Sequence, residues 1–106
     1  HYEIKKLEEF VMKMEDVLIR NSNLIIDGVD DELIVFNEET QNTHILNEVA
    51  GYLLKNADNL TVVQLIDKLY SNLSCDEQKL YSKEEITNDC ITFMEEMINQ
   101  GLLNVN

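Results

Sequence analysis

The sequence predicts an α+β domain in which a small antiparallel sheet comes first and helices follow. Three observations carry this. Short apolar runs rich in Ile, Val and Leu crowd residues 15–37, separated by Asn, Ser, Gly and Asp, which supply turn chemistry. From about residue 39 onward apolar residues recur at three- and four-residue steps, the spacing of a helix face. Thr61-x-x-Gln64 and Ser82-x-x-Glu85 have the form of capping boxes, in which a hydroxyl and the third helical side chain satisfy the free amides of a helix start. Strands grouped ahead of helices are the α+β arrangement, and a small sheet must be covered by helices to be buried.

Residues 1–13 place Ile4, Leu7, Phe10 and Val11 at helical spacing, continued by Met14, without a strong cap. This stretch reads as an N-terminal arm: a helix, a fused segment or residues appended to the natural chain, whose start could be Met12 or Met14. Residues 14–106 read as the domain. "DVLIR", "NLIID" and "ELIVFN" read as three strands, joined by "NSN" and "GVDD" into a meander. A first helix is expected over about 39–55, with Ile45, Leu46, Val49, Leu53 and Leu54 as its apolar set. A second starts at Thr61 and buries Val62, Leu65, Ile66 and Leu69. Residues 71–82 read as a polar connection. A third helix runs from Ser82 to Gln100, where Gly101 supplies the stop. "LLNV" after it returns as a short extended piece.

The totals exclude several function classes. At 106 residues the chain is one domain. No run of 18 apolar residues encodes a membrane span, and no signal-peptide pattern is visible. The net charge of −13 repels phosphate backbones and anionic membrane surfaces, and favours a basic or neutral partner. Cys75 and Cys90 belong to no CxxC pair, and no His stands at zinc-ligand spacing. Two free thiols in a reducing cytoplasm are the expectation.

No catalytic constellation stands out. A nucleophile elbow, a phosphate loop and a dinucleotide fingerprint are absent. His44 falls early in the expected first helix, where an ordinary surface or half-buried imidazole is the simpler reading. Glu8/Glu9, Glu38/Glu39 and Glu95/Glu96 are adjacent in sequence, so on a helix they diverge by about 100° and form no catalytic pair. "DGVDDE" has the composition of a calcium loop without its spacing, and reads as a turn. No enzyme activity and no cofactor are expected.

Surfaces remain. In the helix from Ser82, Cys90, Met94 and Met97 form one stripe and Ile86 and Phe93 an adjacent one, so the helix is apolar over a wider arc than one packing partner needs. Strand 32–37, last in the meander, is expected at its margin. Leu33, Ile34, Val35 and Phe36 form a continuous apolar run with no Lys or Pro to block addition of another chain. An open apolar margin beside a helix with surplus apolar surface is what recognition by strand addition requires.

"LIVFNEETQNTHILNEV", "NLTVVQLIDKLYSNL" and "CITFMEEMINQGLLNV", in that order, resemble the family of the pyrroloquinoline quinone biosynthesis protein D, which is also the recognition element of ribosomally made, modified peptides. The carrying pieces are Phe36-Asn37, Ile45-Leu46, Thr61-Val62 with Leu65-Ile66, and Met97 with Gly101-Leu102-Leu103, spanning about residues 15–105. Asn56–Asn59 stands where the family usually has Gly after its first helix. The resemblance implies a winged helix-turn-helix-like domain of three strands and three helices that binds the leader segment of a precursor peptide. It implies Leu33, Ile34, Val35 and Phe36 as the pairing margin, and Ile86, Asp89, Phe93 and Glu96 as the helix residues that face the leader. Its further partner would be a peptide-modifying enzyme, such as a radical SAM enzyme, a cyclase or a protease. Tyr2 and Leu7 share the spacing seen in leaders of lasso-type peptides, with Lys5 where those have Pro, so a fused leader is one reading of the arm. Two rival readings stand beside this one. A winged-helix DNA-binding regulator would need cations on the third helix, which has one Lys and five acids. A structural domain would form a homodimer through the edge strand.

Overall fold

The computed structural model describes residues 12–29 and 31–106. Most of the N-terminal arm, including Ile4, Leu7, Phe10 and Val11, lies outside the described residues. The elements are β1 (Leu18–Arg20), β2 (Leu24–Val29), β3 (Glu32–Asn37), β4 (Asn42–Leu46), α1 (Glu48–Asn56), α2 (Val62–Asn72), α3 (Cys75–Leu80), α4 (Lys83–Asn99) and β5 (Leu103–Val105). The α+β class, with a three-stranded antiparallel meander ahead of the helices, is what the structure shows.

The membership of the meander differs from expectation. Its order is β2-β3-β4, and β1 instead pairs antiparallel with β5 in a separate two-stranded sheet. Strand "DVLIR" therefore finds its partner about eighty residues away, at the end of the chain, a pairing no local pattern announces. Residues 42–46, expected inside the first helix, form β4. Asn37 is the reason the chain turns back there. It is buried, its Oδ1 accepts the Glu39 amide at 3.0 Å and the Thr40 amide at 3.4 Å, and its carbonyl accepts the Gln41 amide at 2.8 Å. Gln41 takes a left-handed φ of 64°, which closes the hairpin onto the Asn37↔Asn42 pair. Asn37→Ala leaves the turn amides to solvent and empties a buried site, and is expected to cost about 1–3 kcal/mol of stability, read as a lower urea midpoint with an unchanged slope.

Helix α1 begins only after β4. Asn47 caps it, its side chain accepting the Ala50 amide at 2.9 Å. The capping boxes at Thr61–Gln64 and Ser82–Glu85 are both formed. A third, at Ser74–Glu77, starts α3 inside the stretch expected to be an irregular connection. At the far end of α4, Gly101 adopts a φ of 77°. Its amide donates to Ile98 and the Leu102 amide donates to Met97 at 2.8 Å, the Schellman arrangement that ends a helix and reverses the chain. This drops Leu102 and Leu103 into the core and lays β5 against β1.

One face of the meander, carrying Leu33, Val35 and Leu46, packs with Leu53 and Leu54 of α1, Leu65 and Ile66 of α2, and Met94 and Met97 of α4 in a single apolar core. Each such residue, fully buried, contributes about 1.5–3 kcal/mol. Gly51 lets α1 approach β3, since a Cβ there would lie 3.2 Å from that of Leu33. Lys83 at the start of α4 donates to Asp67 of α2 at 2.8 Å and lies 5.4 Å from the centre of the Tyr70 ring. Being exposed, this pair adds little stability, but it ties α4 to α2. No helix among the described residues is long and apolar enough to cross a membrane.

Candidate functional site

The register of the meander decides which strand can accept a guest. Leu33 to Asn37 of β3 are paired with β2 on one side and with β4 on the other. The expectation that Leu33, Ile34, Val35 and Phe36 form an open margin is therefore corrected: their N–H and C=O groups are spent on two neighbours. The reason is β4, whose short "NTHIL" run was absorbed into a helix pattern by the apolar residues that follow it. The margins of the described sheet are β2 and β4.

These margins differ in what lies beside them. The end of β4 borders a small cavity of about 150 Å³, walled by Ile45, Leu46 and Ala50 on one side and by Phe93, Glu96 and Met97 of α4, with Gln100 just after it, on the other. Phe93 also lines a second cavity of about 370 Å³, with Val49 of α1, Leu69 of α2 and Leu73 just after it, Tyr81, and Ile86 and Asp89 of α4. The two cavities share Phe93, and Val49 of the larger stands beside Ala50 of the smaller, so a trough runs from the β4 margin along α4. A larger space near β2, about 620 Å³, is lined by Asp31, Glu32, Glu48, Lys55 and Asn56 together with Leu33, Gly51 and Tyr52, and it lies away from α4.

Side chains along the trough are more exposed than a core would leave them. Val49 is 36% exposed. Phe93 is half-buried against the core, while Cys90, Met94 and Met97 on the inner stripe of the same helix are fully buried. Of the second apolar stripe, Ile86 is buried in the core and Phe93 alone keeps exposed surface. Of the residues expected on this helix, Ile86, Asp89 and Phe93 line the larger cavity and Phe93 and Glu96 the smaller one. All four share one wall. The other face of β3 has a separate surrounding: Phe36 is paired with Ile25, Ile34 with Ile45, and all four lie on the sheet face turned from the core.

His44, expected on a helix, sits on β4 opposite Val35, and its Nε2 is enclosed without a hydrogen-bond partner. Among the described residues no group of His, Cys, Asp and Glu is placed to hold a metal ion. Cys75 is exposed and Cys90 is buried, and both are free thiols. Burial pushes the Cys90 thiol up to about 11, and the neighbouring Asp89 carboxylate acts in the same direction. The folded state therefore holds this proton longer than the unfolded chain, where a thiol titrates near 8.5. Its stabilising share is complete below that value and is lost as pH rises toward about 11. Accordingly, iodoacetamide near neutral pH is expected to label Cys75 alone in the folded protein and both thiols in denaturant, as counted by mass spectrometry.

Residues 32–103, more than half of the chain, match the family model for coenzyme PQQ synthesis protein D, PqqD. The chain belongs to the PqqD family. The PqqD match runs from β3 to the first residue of β5, so the β4 margin, α4 and the trough between them all fall inside it. The solved structure of "TbiB1 in Complex with the TbiA(beta) Leader Peptide" shares the fold at a TM-score of 0.66 with 15% sequence identity, covering 81% of this chain and 94% of that one. No curated protein matches this PqqD-family chain.

Proposed function

We propose that this PqqD-family domain is a non-catalytic module that captures the leader segment of a ribosomally made precursor peptide and presents it to a separate modifying enzyme. The leader adds as a fourth strand to β4 and lays its side chains in the trough along α4. The observation that carries this is the β4 margin, unpaired among the described residues, bordering Phe93 of α4. Main-chain pairing supplies affinity whatever the sequence, and the two cavities supply side-chain preference. The fold shared with TbiB1, a protein solved with a leader peptide bound, supports the same reading.

Ile86, Asp89, Phe93 and Glu96 form the helix wall in this scheme. Leu33, Ile34, Val35 and Phe36 stand one strand back and act by fixing β4. Residues 14–106 make up the binding unit, and residues 1–13 an arm preceding it. The bond-making belongs to the partner, a radical SAM enzyme, a cyclase or a protease, and the domain's contribution is effective concentration, since a tethered core peptide samples one active site. A DNA-binding role finds no support on α4, where Lys83 is already paired and five acids follow. Titrating a fluorescent leader peptide, taken from a precursor encoded beside this chain, tests the proposal. Saturable one-to-one binding by the full chain, without modification of the peptide, is expected. Absence of binding to any such leader overturns it.

A further inference from the structure

The trough has a charge pattern as well as an apolar floor. Among the described residues, those lining its two cavities include three carboxylates, Glu77, Asp89 and Glu96, and no Lys or Arg. Glu77 is committed, its Oε1 accepting the Ser74 amide at 3.0 Å in the cap of α3. Asp89 and Glu96 have no counter-ion: among the described residues the one ion pair is Lys83 with Asp67. They flank Phe93 on a single stripe of α4, four residues before it and three after. With a rise of about 1.5 Å per residue, that places them about 6 Å and about 4.5 Å from Phe93 along the helix. In an extended chain, residues pointing to one face recur every two positions, about 6.6–6.8 Å apart. The first spacing is close to the strand repeat, and the second is about 2 Å shorter, a difference that a long Lys or Arg side chain spans. The chain as a whole adds a net charge of −13, which disfavours any acidic guest.

Resting on the leader-binding reading, we propose that the segment this trough takes is cationic: an extended stretch with an apolar residue seated against Phe93 and a Lys or Arg two positions away on either side, facing Asp89 and Glu96. The apolar residue gives burial. The flanking cations neutralise two carboxylates that the fold leaves unpaired, and they set the register, because a slip by one residue turns all three side chains to the other face. The same charges speed encounter and make binding weaken with salt.

A yeast-displayed library of random ten-residue peptides, selected with the full chain, tests this. The expected pool is enriched in Lys or Arg two positions from an apolar residue. Replacing both cations of a selected peptide by Gln should weaken binding at least tenfold, and the double variant Asp89→Lys/Glu96→Lys should prefer versions carrying Glu at those positions. Thermal melts of the double variant establish that it is folded. A pool without cationic bias, or a double variant that binds the cationic peptide as well as the parent does, overturns the charge rule while leaving strand addition in place. A chain that selects no peptides and sediments as a dimer has a second copy of itself in the trough, and then both this inference and the leader-binding reading fail.

Discussion

Of the two variants Thr43→Pro and His44→Pro, one is expected to stay folded and lose peptide capture, and the other to lose the fold. Successive amides along a strand point to opposite sides. On β4, one of these neighbours donates toward β3 and the other toward the open margin. Proline removes the amide hydrogen and fills the space with its ring. At the inward position this breaks the pairing with Phe36 or Val35, leaves a carbonyl of β3 without its donor, and costs about 1–3 kcal/mol before the steric clash is added. At the outward position the native sheet is untouched and only an incoming strand is refused. Binding should then weaken by at least tenfold, about 1.4 kcal/mol. Thermal melts and a fluorescence titration run side by side separate the two. Val35→Pro, by contrast, strikes the middle strand and should unfold the domain, so it reports on the fold and not on binding.

The second large effect is at Phe93. Its ring stands between the two cavities and is half-buried, so Phe93→Ala removes the central contact offered to a guest. Truncation of an aromatic anchor at the centre of an interface typically costs 2 kcal/mol or more, about thirtyfold in affinity. Its cost to stability should be smaller, because the ring keeps part of its surface in water in the free protein. Met94 next to it is the control. It is fully buried, and Met94→Ala should cost about 2–5 kcal/mol of stability. The variant should still bind with near-parent affinity under conditions where it is folded. If Phe93→Ala behaves like Met94→Ala, losing stability but not affinity, the trough is only an imperfectly filled core.

The sequence was a good guide where the signal was local. Thr61–Gln64 and Ser82–Glu85 both form the boxes their spacing implies, and Gly101 ends the long helix with the left-handed geometry for which glycine is suited. The wide apolar arc of that helix divides differently from its pattern: Ile86 joins Cys90, Met94 and Met97 in the core, and Phe93 is left half-buried. Long-range pairing was not legible. Val17 to Arg20 look like any strand, and nothing nearby says that Leu18 will face Val105. The strand at 42–46 was missed for a different reason. Ile45 and Leu46 continue smoothly into the spacing of Val49, Leu53 and Leu54, so a helix pattern covers a strand that ends at Leu46. Two signals could have exposed it: Asn37 with the polar Glu38–Gln41 stretch as a hairpin turn, and Asn47 with Glu48 as a helix start. Ser74–Glu77 repeats the box pattern of Ser82–Glu85 and marked α3 in the same way. Because β4 is hidden in the pattern, the open margin is assigned one strand too early.

Everything functional turns on which strand accepts the guest. Amide hydrogen exchange, followed by NMR with and without a saturating leader peptide, reads this residue by residue. Alternate amides within Asn42–Leu46 should become at least tenfold slower to exchange, those of Leu24–Val29 should keep their free-state rates, and shifts should concentrate around Phe93. Protection that appears along Leu24–Val29 instead, or chemical-shift changes confined to the helices with no slowing anywhere in the sheet, would contradict strand addition at β4.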